Sequence, residues 1–349
     1  MGLVEQHHAL NRPEHPDCSV CIANYNGVSL LDDCLSSILA QRGNVCFEII
    51  VHDDASADDS VALLREKYPQ VELLASAENA GFCTSNNRMV AHARGEFVLL
   101  LNNDAALYPD ALATLMEASC LQSQAGILTL PQYDWETDVL VDRGCLLDPF
   151  YNPVPNLDPG RCDVAMVIGA CLWVGRDVWN ELGGFPEWLG SIGEDMYLCC
   201  VARLRSRPVQ VTGTSGYRHR QGVSFGGNRA TAQGLQTTFR RRYLSERNKA
   251  TVMVVCTPTL LVVPLLALHL MLLAAEGFIL TAVRRDMRVW REIYGKASTY
   301  VLRDFSRLWA IRRQEQRQRV ASLRGFLRNF VLMHRKLGLL RRYGVPRIR

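Results

Sequence analysis

Apolar residues in the first third of the chain fall into short continuous runs separated by stretches of helical period. The run Phe97-Val98-Leu99-Leu100-Leu101 is long enough for one buried strand and is followed at once by Asn102-Asn103-Asp104. The polar triplet is therefore expected at the carboxyl end of that strand, where open α/β sheets place their ligands. Ser19 to Gly27 reads as an earlier strand entering a turn, after which Leu30, Leu31, Leu35, Ile38 and Leu39 recur at helical spacing. Phe47 to Val51 is a second strand and Val71 to Leu74 a third, with a helix through Val61, Leu63 and Leu64 between them. The Asp and Ser residues after Val51 suit a helix N-cap. A further helix from about Cys83 to Ala93 leads to Gly95 and the strand at Phe97. Strands alternating with helices predict a mainly parallel sheet with helices on both faces. No Gly-x-Gly-x-x-Gly follows the first strand, which argues against a dinucleotide-binding fold of the usual kind.

The pattern changes after Lys249. Residues 250–283 are predominantly apolar, with Glu276 and His269 as the only acidic or basic side chains, and such a stretch exceeds the roughly 20 residues that a membrane span requires. Arg240, Arg241, Arg242, Arg247 and Lys249 precede it and Arg284, Arg285, Arg288 and Arg291 follow. Basic residues on both flanks favour a re-entrant or hairpin segment, bent near Pro258 and Pro264, over a single span. A buried helix pair is the bland alternative. Beyond it, Val301, Phe305, Leu308 and Trp309, then Leu323, Phe326, Leu327, Phe330 and Val331, form apolar stripes between arginines, expected on amphipathic helices in the headgroup layer.

Net charge over the 349 residues is only +4, but it is unevenly spread. Residues 284–349 hold 19 Lys/Arg against 4 Asp/Glu, a net +15, which leaves 20 against 31, or −11, for residues 1–283. An acidic body with a basic tail points to an anionic partner. Beside an apolar segment that partner is expected to be an anionic membrane surface, and no zinc-finger or RNA-recognition spacing argues for nucleic acid. The 12 cysteines form no regular framework and read as reduced core residues. Met1 to Asp17 is polar, without the apolar core of a signal peptide. The expected organisation is a flexible tail over 1–16, a catalytic body over 17–249, a membrane segment over 250–283 and a basic helical tail over 284–349, with the body at the cytoplasmic face of the membrane. The sequence carries no signal for oligomeric state.

The ordered motifs Ala23-Asn24-Tyr25-Asn26-Gly27, Ile49-Ile50-Val51-His52-Asp53-Asp54-Ala55-Ser56, Glu78-Asn79-Ala80-Gly81-Phe82 with Asn86-Asn87, and Leu101-Asn102-Asn103-Asp104 resemble those of family 2 glycosyltransferases. The likeness continues through Gly169-Ala170-Cys171-Leu172-Trp173, Leu182-Gly183-Gly184-Phe185, Glu194-Asp195 and His219 to Ser224, and is strongest to a bacterial rhamnosyltransferase-like branch. It covers about residues 18–249 and implies a GT-A nucleotide-diphospho-sugar transferase fold with a membrane-associated helical region behind it.

The resemblance also assigns roles. Asp53 would accept the ring N–H shared by uracil and thymine, with turn capping as the lesser alternative for an Asp there. Asn24 and Tyr25 would line base and ribose, Asn79, Gly81 and Asn86 would close around the nucleotide, and Asn102 and Asn103 would border the donor. Asp54 and Asp58 read as caps. Asp104 and His219 would hold Mg²⁺ or Mn²⁺, whose other ligands come from diphosphate and water. Asp195 would be the base that deprotonates the acceptor hydroxyl, with Glu194 orienting it or binding the acceptor. Two positions depart from the family's commoner pattern: Asn102 stands where an acidic residue is usual, and Tyr197 where the branch has another. The implied activity is inverting transfer from a dTDP- or UDP-sugar, with rhamnose suggested by resemblance, to a lipid-linked or cell-envelope glycan. A catalytically silent membrane scaffold and a sugar nucleotidyltransferase are the alternatives, the latter disfavoured because no Gly-rich phosphate loop follows the first strand.

Overall fold

The computed structural model describes residues 3–222, 229–231 and 234–349, so Val223 and Ser224 of the last motif lie outside the described residues. The chain divides into two compact units, Met1–Cys145 with Pro155–Cys199 and Arg207–Arg220, and Leu146–Val154 with Cys200–Ser206 and Gln221–Arg349. In chain order the elements up to Arg220 are β1 (Val4–His7), β2 (Cys18–Asn24), α1 (Val28–Leu39), β3 (Phe47–Asp53), α2 (Ser60–Lys67), β4 (Val71–Ser76), α3 (Phe82–His92) and β5 (Phe97–Asn102). Then come β6 (Ala105–Leu107), α4 (Ala111–Leu121), β7 (Ile127–Thr129), β8 (Gln132–Asp134), β9 (Leu140–Asp142), β10 (Cys145–Leu147) and β11 (Pro153–Pro155). β12 (Cys171–Gly175), α5 (Arg176–Leu182), α6 (Glu194–Leu204), β13 (Val209–Val211) and β14 (Tyr217–His219) complete the series.

The first unit is built on an eight-stranded sheet in the order β1-β4-β3-β2-β5-β12-β7-β13. β4, β3, β2 and β5 run parallel, β12 is antiparallel to both β5 and β7, and β1 is antiparallel to β4. The apolar runs of β2, β3 and β5 are buried because helices cover the sheet. On α1 the helical stripe buries Leu31, Cys34, Leu35 and Ile38, and Trp173 of β12 stacks on Phe97 at 5.1 Å. From β2 the chain adds β3 and β4 on one side, then returns to lay β5 on the other. That reversal is the topological switch point at which such sheets bind ligands. A second, four-stranded sheet, β6-β14-β8-β9, carries His219.

Residues 3–16 are not the flexible tail that their polarity suggests. β1 pairs with β4 at the sheet edge, and Arg12 is buried against Glu48 at 2.5 Å and Glu72 at 3.5 Å. Glu72 also accepts from the Ala9 N–H at 2.9 Å. Burial raises the Glu72 carboxyl, but the Ala9 and Gln6 hydrogen bonds and Arg12 outweigh it and hold the group below its usual range. Its folded form thus takes up a proton at lower pH than its unfolded form, so this stabilisation is full above the usual carboxylate range and is lost as pH falls below it. A polar segment is ordered here because it neutralises two carboxylates that the sheet has removed from water.

The second unit contains β15 (Arg229–Thr231), β16 (Gly234–Thr237), α7 (Phe239–Cys256), α8 (Val262–Arg284), a π-helical turn over Val289–Tyr294, α9 (Gly295–Arg303), α10 (Phe305–Arg317), α11 (Leu323–Leu327), α12 (Arg335–Tyr343) and β17 (Arg347–Ile348). The expected boundary between 249 and 250 falls inside α7, so residues 250–256 are the buried end of that helix and not the start of a membrane segment. Glu246, fully buried on α7, is compensated by Arg242, Lys249 and Lys336 at 2.9–3.2 Å. The helix stops at Thr257, which is extended ahead of Pro258. Pro264 does not bend α8, because it lies in the first turn, where its missing N–H has no intrahelical partner to lose. The stripe expected in the headgroup layer is also partly corrected. Val301, Leu308 and Phe326 are buried in protein, with Phe330 edge-on to Tyr151 at 5.4 Å. All twelve cysteines are free.

Arg12→Ala leaves Glu48 and Glu72 buried with less compensation, and is expected to destabilise the chain by about 3–5 kcal/mol. Urea unfolding measures it, and a Lys at the same position should recover only part of the loss because it lacks the forked donor set.

Candidate active site

Parallel register brings the ends of β2, β3 and β5 side by side: Asn24 pairs with Asp53 and Ala23 with Asn102. At these ends the ladder runs out and side chains take over. Asn103 Nδ2 donates to Asn24 Oδ1 at 2.8 Å, and Asn24 Nδ2 donates to Asp53 Oδ2 at 2.8 Å. Ser56 closes the relay, donating its N–H to Asp53 Oδ1 at 2.9 Å and its hydroxyl to Oδ2 at 2.7 Å. Asn24 and Asp53 are each 1% exposed. Asp53 therefore does the turn-capping work; a base N–H has only the remaining acceptor site on Oδ1. Tyr25, by contrast, is 55% exposed at the mouth of this cluster. Asp58 accepts from the Ser60 N–H at the start of α2 at 3.1 Å, the helix it was expected to cap, and also from the Val28 N–H at the start of α1 at 3.0 Å.

Asp104, next in the chain after Asn103, leads into β6. Its Oδ1 lies 3.0 Å from His219 Nε2, because β14 pairs with β6 and sets His219 opposite Ala105. Both residues are buried. His219 Nδ1 lies 3.2 Å from Gln132 Oε1, which also accepts the Tyr217 hydroxyl at 2.8 Å. Gln132 and Tyr217 orient His219 and are absent from the sequence motifs; the polar Gln132 just after the mostly apolar run 127–130 was the available signal. On β9, burial pushes the Asp142 carboxyl up to about 7, with the Gly144 N–H and His219 opposing. A carboxylate oxygen and an imidazole nitrogen this close suit two neighbouring ligands of one small divalent cation, whose ligand distances are about 2.1 Å. Among the described residues no third His, Cys, Asp or Glu joins them. Diphosphate oxygens and water would complete such a shell.

The loop before α3 is held from β3. Asp54 accepts from the Ala80 and Gly81 N–H groups at 2.6 and 2.9 Å, and Asn79 Nδ2 donates to the Asp54 carbonyl at 3.2 Å. Gly81 adopts φ +88°, a left-handed value that a side chain would strain. Asn86 does not reach into the cleft as expected: it is buried and donates to the Phe82 carbonyl at 2.9 Å within its own helix. Its neighbour Asn87 clamps Phe185, donating to the carbonyl at 2.8 Å and accepting from the N–H at 3.0 Å.

Glu194 and Asp195 open α6, where carboxylates suit the helix N-terminus. Asp195 accepts from the Gly169 N–H at 3.0 Å and from the Met196 N–H at 2.7 Å. The adjoining Ala170 carbonyl accepts from the Asn102 N–H at 3.1 Å. Tyr197, the departure noted above, is buried edge-on to Trp188 at 5.8 Å. The triplet is therefore a hub. Through Asn103 it reaches Asp53, through Asp104 it reaches His219, and through Asn102 and the Gly169-Ala170 step it reaches Asp195.

Gly27 makes the hub possible. A Cβ there would stand 2.2 Å from Asn103 Nδ2 and 2.4 Å from Asn24 Oδ1. Gly27→Ala is expected to break this pairing at about 1–3 kcal/mol, lowering the thermal midpoint. Gly213→Ala, which meets nothing within 4 Å, serves as the unchanged control.

The model "Glycosyl transferase family 2" matches residues 19–181. Among curated proteins, the succinoglycan biosynthesis protein ExoO of Rhizobium meliloti is 35% identical over 103 residues, 29% of each chain. An N-acetylglucosaminyl-diphospho-decaprenol L-rhamnosyltransferase of Mycobacterium tuberculosis is 27% identical over 180 residues, 43% of this chain and 59% of that one. The chain thus spans 29% of the first relative's length and 59% of the second's, under two thirds of either. The mannosyltransferase PcManGT of Pyrobaculum calidifontis, solved with GDP-Man and Mn²⁺, superposes with a TM-score of 0.51 at 16% identity, covering 88% of this chain and 89% of that one. The fold is thus that of GT-A transferases, and residues 19–181, just under half of the chain, match the family 2 glycosyltransferase model.

Proposed function

We propose that the protein is an inverting glycosyltransferase, moving a sugar from a UDP- or dTDP-linked donor to a lipid-linked or cell-envelope glycan at the cytoplasmic face of the membrane. The observation that carries this is the hub: Asp104 belongs to Asn102-Asn103-Asp104 itself, Asp53 is joined to it through Asn24, and Asp195 through the Gly169-Ala170 step. In this reading Tyr25 covers the base and ribose, and Asn79 and Gly81 shape the turn beside the nucleotide. Asp104 and His219 would hold Mg²⁺ or Mn²⁺, the imidazole favouring Mn²⁺. When bound, that cation offsets the charge that develops on the departing diphosphate.

Asp195 accepts the proton of the acceptor hydroxyl as its oxygen bonds to the anomeric carbon, while the bond from that carbon to the nucleoside diphosphate breaks. The two N–H groups that Asp195 accepts fix its direction. Glu194, one position earlier, would orient Asp195 or bind the acceptor. The name of the Mycobacterium tuberculosis relative supports rhamnose as the sugar and a lipid diphosphate as the acceptor. The GDP-Man in PcManGT belongs to that protein, and the pyrimidine reading here rests on the family likeness at Asp53.

Asp195→Asn is expected to lower kcat by at least about 100-fold while leaving the nucleotide-induced thermal shift intact; unchanged turnover removes Asp195 as base. Asp104→Ala is expected to abolish the Mn²⁺-dependent part of that shift. Binding that is indifferent to a chelator in the native protein overturns the metal role.

A further inference from the structure

The polarity of α8 is reversed relative to a surface helix of a soluble protein. Its buried face consists of Val262, Leu266, His269, Leu273, Gly277 and Leu280, so His269 points into the protein. So does Glu276, which is bound to Arg242 and Lys336 at 2.6 Å and to the Tyr294 hydroxyl at 3.0 Å. The opposite face is apolar throughout: Leu268, Met271, Leu272, Phe278, Ile279 and Val283 are 39–64% exposed. Leu260 and Val263 extend the patch at 72% and 54%. A helix of 23 residues is about 35 Å long, enough to cross a hydrocarbon layer of about 30 Å. Length does not decide the matter, but packing does.

One face of α8 is occupied by α7, the π-helical turn and α9 of its own unit. Its entry is fixed by the buried Arg312 of α10, which donates to the Thr257 and Thr259 carbonyls. Crossing a bilayer would drag these charged helices into hydrocarbon. Arg285, Arg288 and Arg291, all exposed, follow directly beyond the helix. We infer that α8 is an in-plane membrane anchor that lies along an anionic phospholipid surface, its Met271/Phe278/Ile279 face in the acyl layer and the arginines beyond its C-terminus among the headgroups. The expected hairpin is thereby replaced, since its other arm, residues 250–256, is buried in protein. The inference deepens the reading of the acceptor as lipid-linked.

Flotation of the full chain with phosphatidylcholine vesicles, with and without phosphatidylglycerol, tests it. Binding is expected to need the anionic lipid and to weaken with salt. Met271→Glu and Phe278→Glu should each weaken it at least about tenfold, with the UDP-induced thermal shift unchanged. Trypsin added outside sealed vesicles should digest residues 284–349. A protected C-terminal fragment would establish a span and overturn the in-plane anchor, as would flotation unaffected by both substitutions. A lipid-free dimer dissolved by Phe278→Glu, without vesicle binding, would assign the face to a second copy and also refute it. Loss of the nucleotide shift with flotation intact counts against the glycosyltransferase reading alone.

Discussion

A relay of two amides and a carboxylate, Asn103 to Asn24 to Asp53, holds the mouth of the sheet together. Where parallel strands end, backbone N–H and C=O groups lose their ladder partners, and a cleft at that point must be polar without being wet. Amides solve this because each donates and accepts, so the relay ends on a single charge. Gly27 lets the Asn24 and Asn103 side chains meet. With Asn103 fixed, its neighbours are fixed as well, Asn102 toward Ala170 and Asp104 toward His219.

Much of this was legible in the residues. The run ending at Leu101 had to be a buried strand, and its register partners follow from the apolar runs at Ser19 and Phe47. The paired placement of Asp104 and His219 came from family likeness, since they lie 115 residues apart and no local pattern joins them. Asn86 was assigned to the nucleotide by family likeness, which does not reveal where an amide's own hydrogen bonds go. In the fold it bonds to the carbonyl four residues back. The order of residues 3–16 was hidden for a similar reason. Arg12 is needed only because Glu48 and Glu72 are buried, and burial of a carboxylate on a strand is a tertiary fact.

The apolar stretch shows the limit of composition. Residues 250–283 form one run by hydropathy, yet Pro258 divides it into a helix end enclosed by protein and a helix with one face outward. The same hydropathy serves packing in the first part and an unpartnered surface in the second. Charge placement separates them: α7 buries Glu246 among three cations, whereas the outward side of α8 has neither cation nor anion along its length.

Asn102, where an acidic residue is commoner, fits this electrostatic arrangement. A carboxylate there would add a second negative charge to the triplet that contains the buried Asp104, and like charges that close in the chain oppose one another's ionisation. The neutral side chain leaves one carboxylate and one imidazole for a cation, a set too small to bind tightly alone. In the proposed reaction most ligands then come from the donor diphosphate, so cation and donor strengthen each other's binding by the same factor. A site of this kind gains its charge compensation only when the leaving group is present, which is when the transfer step requires it.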